Sequence, residues 1–210
     1  MSGTAKIKAI IFDLGNVLID FDHMIAAQKI SGFTNMAAED IFNLFFDSPL
    51  TGSFEEGRIS PRDFFSDVKE RLNLKLDYDG FLPIWNGIFF FSEKNRSVYG
   101  LAKSLKKRYN VSALSNVNIL HLEHIKKNFP IFDAFHNVIT SCELGFKKPD
   151  PAIYKKALEI SGVEAASAFY TDDRAELTEK AKELGIRSFV FTGVEQLRKD
   201  LRAAGVNINQ

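Results

Sequence analysis

Four apolar residues in a row, Ala9 to Phe12, run straight into Asp13. A half-buried strand alternates apolar and polar positions. A run without alternation belongs to a strand covered on both faces, as in parallel sheets. With the first strand taken as Lys6 to Phe12, the pattern returns as VSALSN (Val111 to Asn116), HNVITS (His136 to Ser141), SAFYTDD (Ser167 to Asp173) and RSFVFTG (Arg187 to Gly193). Helical spacing fills the gaps. Val98, Leu101, Ala102 and Leu105 share one face, as do Ile119, Leu122, Ile125 and Phe129. Ile153, Tyr154, Ala157 and Leu158 lead to Gly162, and Leu177, Ala181 and Leu184 lead to Gly185 as a C′ residue. Val194, Leu197 and Leu201 close the series before Gly205. Strands alternating with helices predict an α/β fold, a Rossmann-like three-layer core around a mainly parallel sheet.

Residues 19–91 break the alternation. Twelve of the 20 Phe lie between Phe21 and Phe91, and the segments HMIAAQKISGF, AAEDIFNLFFDS, SPRDFFSDVKERLNL and YDGFLPIWNGIFFF read as helices. The third begins cleanly: Ser60 can cap, Pro61 suits the first helical position, and Phe64, Phe65, Val68 and Leu72 form a stripe. The expected organisation is a core of residues 1–18 and 92–210 with a helical cap, residues 19–91, inserted after the first strand. A chain of 210 residues can hold both.

Charge narrows the partners. Lys and Arg together number 27, as do Asp and Glu, so no net field favours nucleic acid or a membrane surface. The single cysteine, Cys142, excludes a disulfide framework or a Cys-based zinc site within one chain and reads as structural. No secretory signal is visible, because Asp13 interrupts an apolar run already too short for one. No segment approaches the roughly 20 apolar residues of a membrane span. A cytoplasmic protein is expected.

In open α/β sheets, ligands bind beyond the carboxyl ends of the strands. Here that edge collects Asp13, Ser115, Asn116, Asp172 and Asp173, with Lys147 and Lys148 in the GFKKPD segment after the third strand. Three adjacent carboxylates repel unless a cation joins them, and hard oxygen ligands point to Mg²⁺. A hydroxyl, a lysine and free backbone N–H groups suit phosphate oxygens. With that charge offset, Asp13 can act as a nucleophile and form an aspartyl-phosphate.

These segments resemble the haloacid dehalogenase-like hydrolase superfamily over nearly the whole chain. Its first motif is matched by FDLGNVL, its second by ALSN, its third by the Lys before Pro in GFKKPDPAIY and its fourth by FYTDD. The resemblance implies a central first strand flanked by those carrying Ser115 and Asp172. It implies Asp13 as nucleophile, with Asp13, the Gly15 carbonyl, Asp172 and Asp173 at a Mg²⁺ ion. It also implies that Leu14, Ser115, the N–H of Asn116 and Lys148 bind phosphate, and that the partner is a small phosphorylated metabolite. The DLGNV variant resembles the subgroup that includes bacterial α-D-glucose-1-phosphate phosphatase, so a sugar phosphate is the expected substrate.

Two positions depart from the family pattern. Gly15 stands where family phosphatases carry the Asp that protonates the leaving oxygen and activates water. Such help is worth about 10²–10⁴ in rate. Either the leaving group needs little protonation, or Asp20, Asp22 or His23 substitutes, or turnover is poor. Leu177 replaces an Asn of many relatives and reads as core. Two other readings compete: a metal-independent 2-haloacid dehalogenase, which the paired Asp172 and Asp173 disfavour, and a non-catalytic phospholigand-binding protein. From the cap, Asp20, Trp85 and Asn86 are candidates for substrate contact, with packing favoured for Trp85. Glu55, Glu56, Arg58 and Lys147 read as solvated, and His121 and His124 as surface residues away from the acidic edge.

Overall fold

The structure is a computed structural model and describes residues 5–45 and 48–208. In chain order it contains β1 (Ala9–Phe12), β2 (Asp20–Phe21), α1 (His23–Ser31), α2 (Ala38–Phe45), α3 (Pro49–Glu55), α4 (Pro61–Leu72), α5 (Tyr78–Asn86) and β3 (Phe89–Phe90). Then follow α6 (Glu93–Lys106), β4 (Asn110–Ser115), α7 (Ile119–Asn128), β5 (Asn137–Thr140) and α8 (Ser141–Leu144). The chain continues through α9 (Pro151–Ser161), β6 (Ala168–Asp172), α10 (Ala175–Glu183), β7 (Arg187–Val190) and α11 (Val194–Ala203). Residues 46 and 47 of the second expected insertion helix lie outside the described residues.

Five strands form one sheet in the order β5-β4-β1-β6-β7, and each adjacent pair runs parallel. The expected α/β architecture is therefore present, with β1 central between β4 and β6. Alternation along β1 explains its unbroken apolar run. Ile10 and Phe12 pack on one face with Val98 and Leu101 of α6 and Leu197 and Leu201 of α11. Ile11 faces the other way, against Ile153 and Tyr154 of α9 and Ala181 of α10. Both faces are covered, so no polar side chain can be tolerated before the strand ends. The first strand is shorter than expected: pairing begins at Ala9, and residues 6–8 lead into it.

Between β2 and β3, α1 to α5 gather around an apolar cluster of their own. Phe54, Phe64, Phe81 and Trp85 are buried there. Phe54 stacks on Phe64 at 4.3 Å between ring centroids, and Phe81 on Trp85 at 5.6 Å. The cap expected for α4 is present: the Ser60 side chain accepts from the Asp63 N–H, with Pro61 in the first turn. The short antiparallel pair β2–β3 was not expected. It joins the two chain crossings that lead into and out of the insertion, with Phe21 opposite Phe89. Elsewhere the insertion rests on α8. Ser141 Oγ donates to the Glu55 carbonyl at 2.6 Å, and a Cβ at Gly57 would lie 2.4 Å from the Cys142 carbonyl oxygen. Gly57 has φ +66, so this backbone approach requires glycine twice over.

Candidate active site

The strand register brings the motif residues to one edge. Phe12 pairs with Ala113 of β4 and Thr171 of β6, so the next residue, Asp13, emerges beside the ends of both strands. Its N–H donates to the Thr171 carbonyl at 2.9 Å. Between Asp13 and Asp172 lies the Lys148 ammonium, and the residue is only 3% exposed. Lys148 Nζ is 2.7 Å from Asp13 Oδ1, 2.6 Å from Asp172 Oδ2 and 3.1 Å from the Leu114 carbonyl. Its three donors are thus all engaged. Asn116 fixes the lysine from behind: its Nδ2 donates to the Lys148 carbonyl at 2.9 Å, and its Oδ1 accepts from the Lys148 N–H at 2.8 Å.

Asp172 is fully buried and held on every side. Besides Lys148 it accepts from the Tyr170 hydroxyl and, at 2.9 Å, from the Arg174 N–H. Asp173 is half-buried and accepts from Asn16 Nδ2 at 3.0 Å. Asn16 reaches it from the turn after Gly15, with φ 54 in the left-handed region that Asn tolerates.

Electrostatics follow from this packing. Burial pushes the Asp13 carboxyl up to about 7; Lys148 opposes the shift and Asp172 adds to it. Burial works against the Lys148 ammonium, but the two carboxylates outweigh it and hold its pKa above the ordinary value. Burial also raises Asp173. Carboxylate oxygens of Asp13, Asp172 and Asp173 come within 4.8 Å of one another. That all-oxygen donor set fits a hard divalent cation, which would relieve the repulsion that one lysine only partly offsets.

Beside the cluster lies a cavity of about 70 Å³. Leu14, Gly15, Ser115 and Asn116 wall it on one side, and Phe21, His23, Glu55, Trp85 and His121 on the other. A wider depression of about 330 Å³, beside Lys8 and Ser167 at the amino ends of the strands, holds none of the motif residues.

Several expectations need correction. Asp20 does not face the cavity. Its carboxylate accepts from Ser92 Oγ at 2.7 Å, from Asn95 Nδ2 at 3.2 Å and from Lys94, and so braces the junction between the insertion and α6. Burial opposes ionisation of Asp20, but these bonds outweigh it and hold the carboxyl below the usual range. Asp22 is exposed and caps α1 by accepting from the Met24 N–H. Asn86 is not on the cavity wall; its buried Oδ1 has no hydrogen-bond partner among the described residues. Trp85 packs as expected, 2% exposed, and also lines the cavity. Leu177 is core, and Cys142 is only half-buried.

His121 is not a surface residue. It is 5% exposed, stacks on Trp85 at 5.1 Å, and uses both ring nitrogens. Nε2 lies 3.1 Å from the Trp85 carbonyl and Nδ1 lies 3.0 Å from Asn118 Nδ2. Burial pushes its pKa down to about 3. A signal was available: Asn118 caps α7, so His121 falls in the first turn after the Ser115 strand, next to the acidic edge. Glu55 and Lys147 are not solvated either. They pair at 3.1 Å across the insertion–core boundary, each about a quarter exposed. Nothing local in the sequence marks that pair.

Comparison with known proteins places the chain among relatives of the same fold. The D-ribitol-5-phosphate phosphatase of Bacteroides thetaiotaomicron is 26% identical over 189 residues, covering 87% of this chain and 91% of the relative. A chloroplast flavin mononucleotide hydrolase of Arabidopsis thaliana is 26% identical over 228 residues, covering all of this chain and 82% of the relative. Among solved structures, a Bacteroides thetaiotaomicron enzyme in complex with magnesium and inorganic phosphate superposes with a TM-score of 0.76 at 30% identity, covering 88% of this chain and 93% of that one. A family model described as haloacid dehalogenase-like hydrolase matches residues 7–185. With that span, the fold and the ordered strand-end motifs, the chain belongs to the haloacid dehalogenase-like hydrolase family.

Proposed function

We propose that this chain is a Mg²⁺-dependent phosphomonoester hydrolase that works through an aspartyl-phosphate on Asp13 and takes a small sugar phosphate. The observation that carries the reading is the buried Asp13–Lys148–Asp172 cluster, with Asp173 close enough to complete an all-oxygen donor set. Asp13, the Gly15 carbonyl, Asp172 and Asp173 would hold the ion. When bound, it offsets the charge of a phosphate brought against carboxylates. Asp13 Oδ forms a bond to phosphorus as the ester oxygen leaves, and water then attacks phosphorus and frees Asp13. Ser115 and the N–H groups of Leu14 and Asn116 hold the phosphoryl oxygens, and Lys148 joins them by giving up one of its three present acceptors. The insertion, residues 19–91, serves as the cap that closes over the leaving group and excludes water.

A similarity to a D-ribitol-5-phosphate phosphatase supports the sugar phosphate class. The DLGNV motif favours an anomeric phosphate such as glucose 1-phosphate within it. A metal-independent dehalogenase has no use for Asp172 and Asp173 beside its nucleophile. A non-catalytic binding role rests on Gly15 and Leu177, and Leu177 packs in the core. The test is p-nitrophenyl phosphate turnover with and without Mg²⁺, followed by a panel of sugar phosphates, nucleotides and acyl phosphates, with Asp13→Asn as control. Turnover that requires both Mg²⁺ and Asp13 is expected, with sugar phosphates preferred. Metal-independent halide release from 2-haloacids, or phosphate binding without turnover, would overturn the reading.

A further inference from the structure

Three donors meet the two oxygens of the Asp172 carboxylate. Oδ2 accepts from Lys148 Nζ at 2.6 Å and from the Tyr170 hydroxyl, and Oδ1 accepts from the Arg174 N–H at 2.9 Å. A carboxylate offers about four lone-pair sites, two on each oxygen. Both on Oδ2 are filled, and one on Oδ1 is left. From this count we infer that Tyr170 is a positioning residue that makes Asp172 a one-oxygen ligand and so selects Mg²⁺ over Ca²⁺. The inference rests on the phosphatase reading above and names the residue that sets the choice of its cation.

The strand fixes Tyr170 in this place. It stands two residues before Asp172 in β6, so both side chains leave the same face of the sheet. Its ring is fully buried in the cluster that holds Ile153 and Tyr154, and Tyr154 meets it edge to face at 5.8 Å. The Lys148 ammonium lies 5.8 Å from the ring centroid, so the ring and its hydroxyl flank the Lys148–Asp172 pair. Asp13 Oδ1 and Asp173 Oδ2 each meet one side-chain donor, Lys148 and Asn16, so it is at Asp172 that one oxygen is filled.

Ionic size turns this block into a choice. Mg²⁺ demands an octahedron of oxygens at about 2.0–2.1 Å, which single carboxylate oxygens and water supply. Ca²⁺ takes about six to eight oxygens at about 2.3–2.6 Å and accepts carboxylates through both oxygens at once. Removing the Tyr170 hydroxyl opens a lone pair on Oδ2 and lets Asp172 chelate the larger ion. Loss of the fixed partner also loosens the carboxylate that the smaller ion needs held still.

Calorimetric titration of the protein with MgCl₂ and with CaCl₂, in the absence of phosphate, reads the choice without any turnover. The parent should bind Mg²⁺ more tightly than Ca²⁺. Tyr170→Phe, which keeps the ring, should lower that preference about 10-fold or more, through weaker Mg²⁺ binding and unchanged or tighter Ca²⁺ binding. Stoichiometry counts folded sites, so a misfolded fraction lowers it without shifting the ratio of the two affinities. Ser161→Ala removes another buried hydroxyl, 3.1 Å from Ser112 Oγ, and should keep the parent's preference. A parent that binds Ca²⁺ as tightly as Mg²⁺, a Tyr170→Phe protein with the parent's preference, an equal loss for both ions, or the same shift in Ser161→Ala would overturn the role of Tyr170 and leave the phosphatase reading standing. A parent that binds neither ion would overturn both.

Discussion

The sheet edge and the helical insertion face one cavity and are built on opposite terms. The edge is ionic: Asp13, Lys148 and Asp172 are each less than a tenth exposed and hold one another through charge-assisted bonds. The insertion is aromatic: Phe45, Phe64 and Phe81 pack around Trp85, and His121 stacks on it with a neutral ring. Charge placed on strand ends is held to a fraction of an ångström because the backbone beneath it is paired on both sides. Ring packing is less directional and tolerates exchange of one shape for another. In the function proposed above, the first region carries the reaction and the second the choice of leaving group.

The contrast can be tested from either side. Asp13→Asn should abolish turnover, by about 10⁴-fold or more, while the protein stays folded by circular dichroism. Lys148→Met should also stop turnover and should cost about 3–5 kcal/mol of stability in urea, because it leaves two buried carboxylates uncompensated. Mg²⁺ should recover more of that loss than it adds to the parent. Trp85→Ala should cost a similar or slightly smaller amount, about 3–4 kcal/mol, through an unfilled cavity. The folded fraction should hydrolyse p-nitrophenyl phosphate at a kcat within a few-fold of the parent; a collapse in kcat would mean that the two regions are not separable.

Acid should weaken the aromatic side. The folded chain holds His121 at about 3 against an ordinary 6.5, so the unfolded chain binds a proton that the native state refuses. Stability from this group is complete above pH 6.5 and is lost as pH falls through 6.5 toward 3. The loss should reach about 2 kcal/mol at pH 5 relative to pH 8, and His121→Gln should flatten the slope. The smallest effect belongs to Lys147→Met. Its pair with Glu55 is about a quarter exposed, so thermal stability should fall by less than about 1 kcal/mol.

The ionic side could be read from the chain; much of the aromatic side could not. Five apolar runs, each ending near a polar residue, marked the site edge, because parallel strands end together; the place of β1 between β4 and β6 came from the family resemblance and is what the sheet shows. Helix α4 was legible from Ser60 and Pro61 for a local reason, a cap and its first turn. The β2–β3 pair escaped because two residues per strand show no period. Glu55 meets Lys147 across 92 residues, and the Trp85 carbonyl meets His121 across 36. Neither contact leaves a mark in the sequence near its ends. Asp20 misled for the opposite reason: a carboxylate seven residues after Asp13 looks available until Lys94, Ser92 and Asn95 are seen to claim it.

On the insertion's side, the seat on α8 is made by backbone and not by a side chain. Glu55 contributes its carbonyl to Ser141, and Gly57 contributes only the absence of a side chain against Cys142. Docking is thereby decoupled from the rings that face the cavity. If the insertion selects the leaving group as proposed, those rings can be exchanged one at a time while this backbone seat keeps the insertion in the same place over the sheet edge.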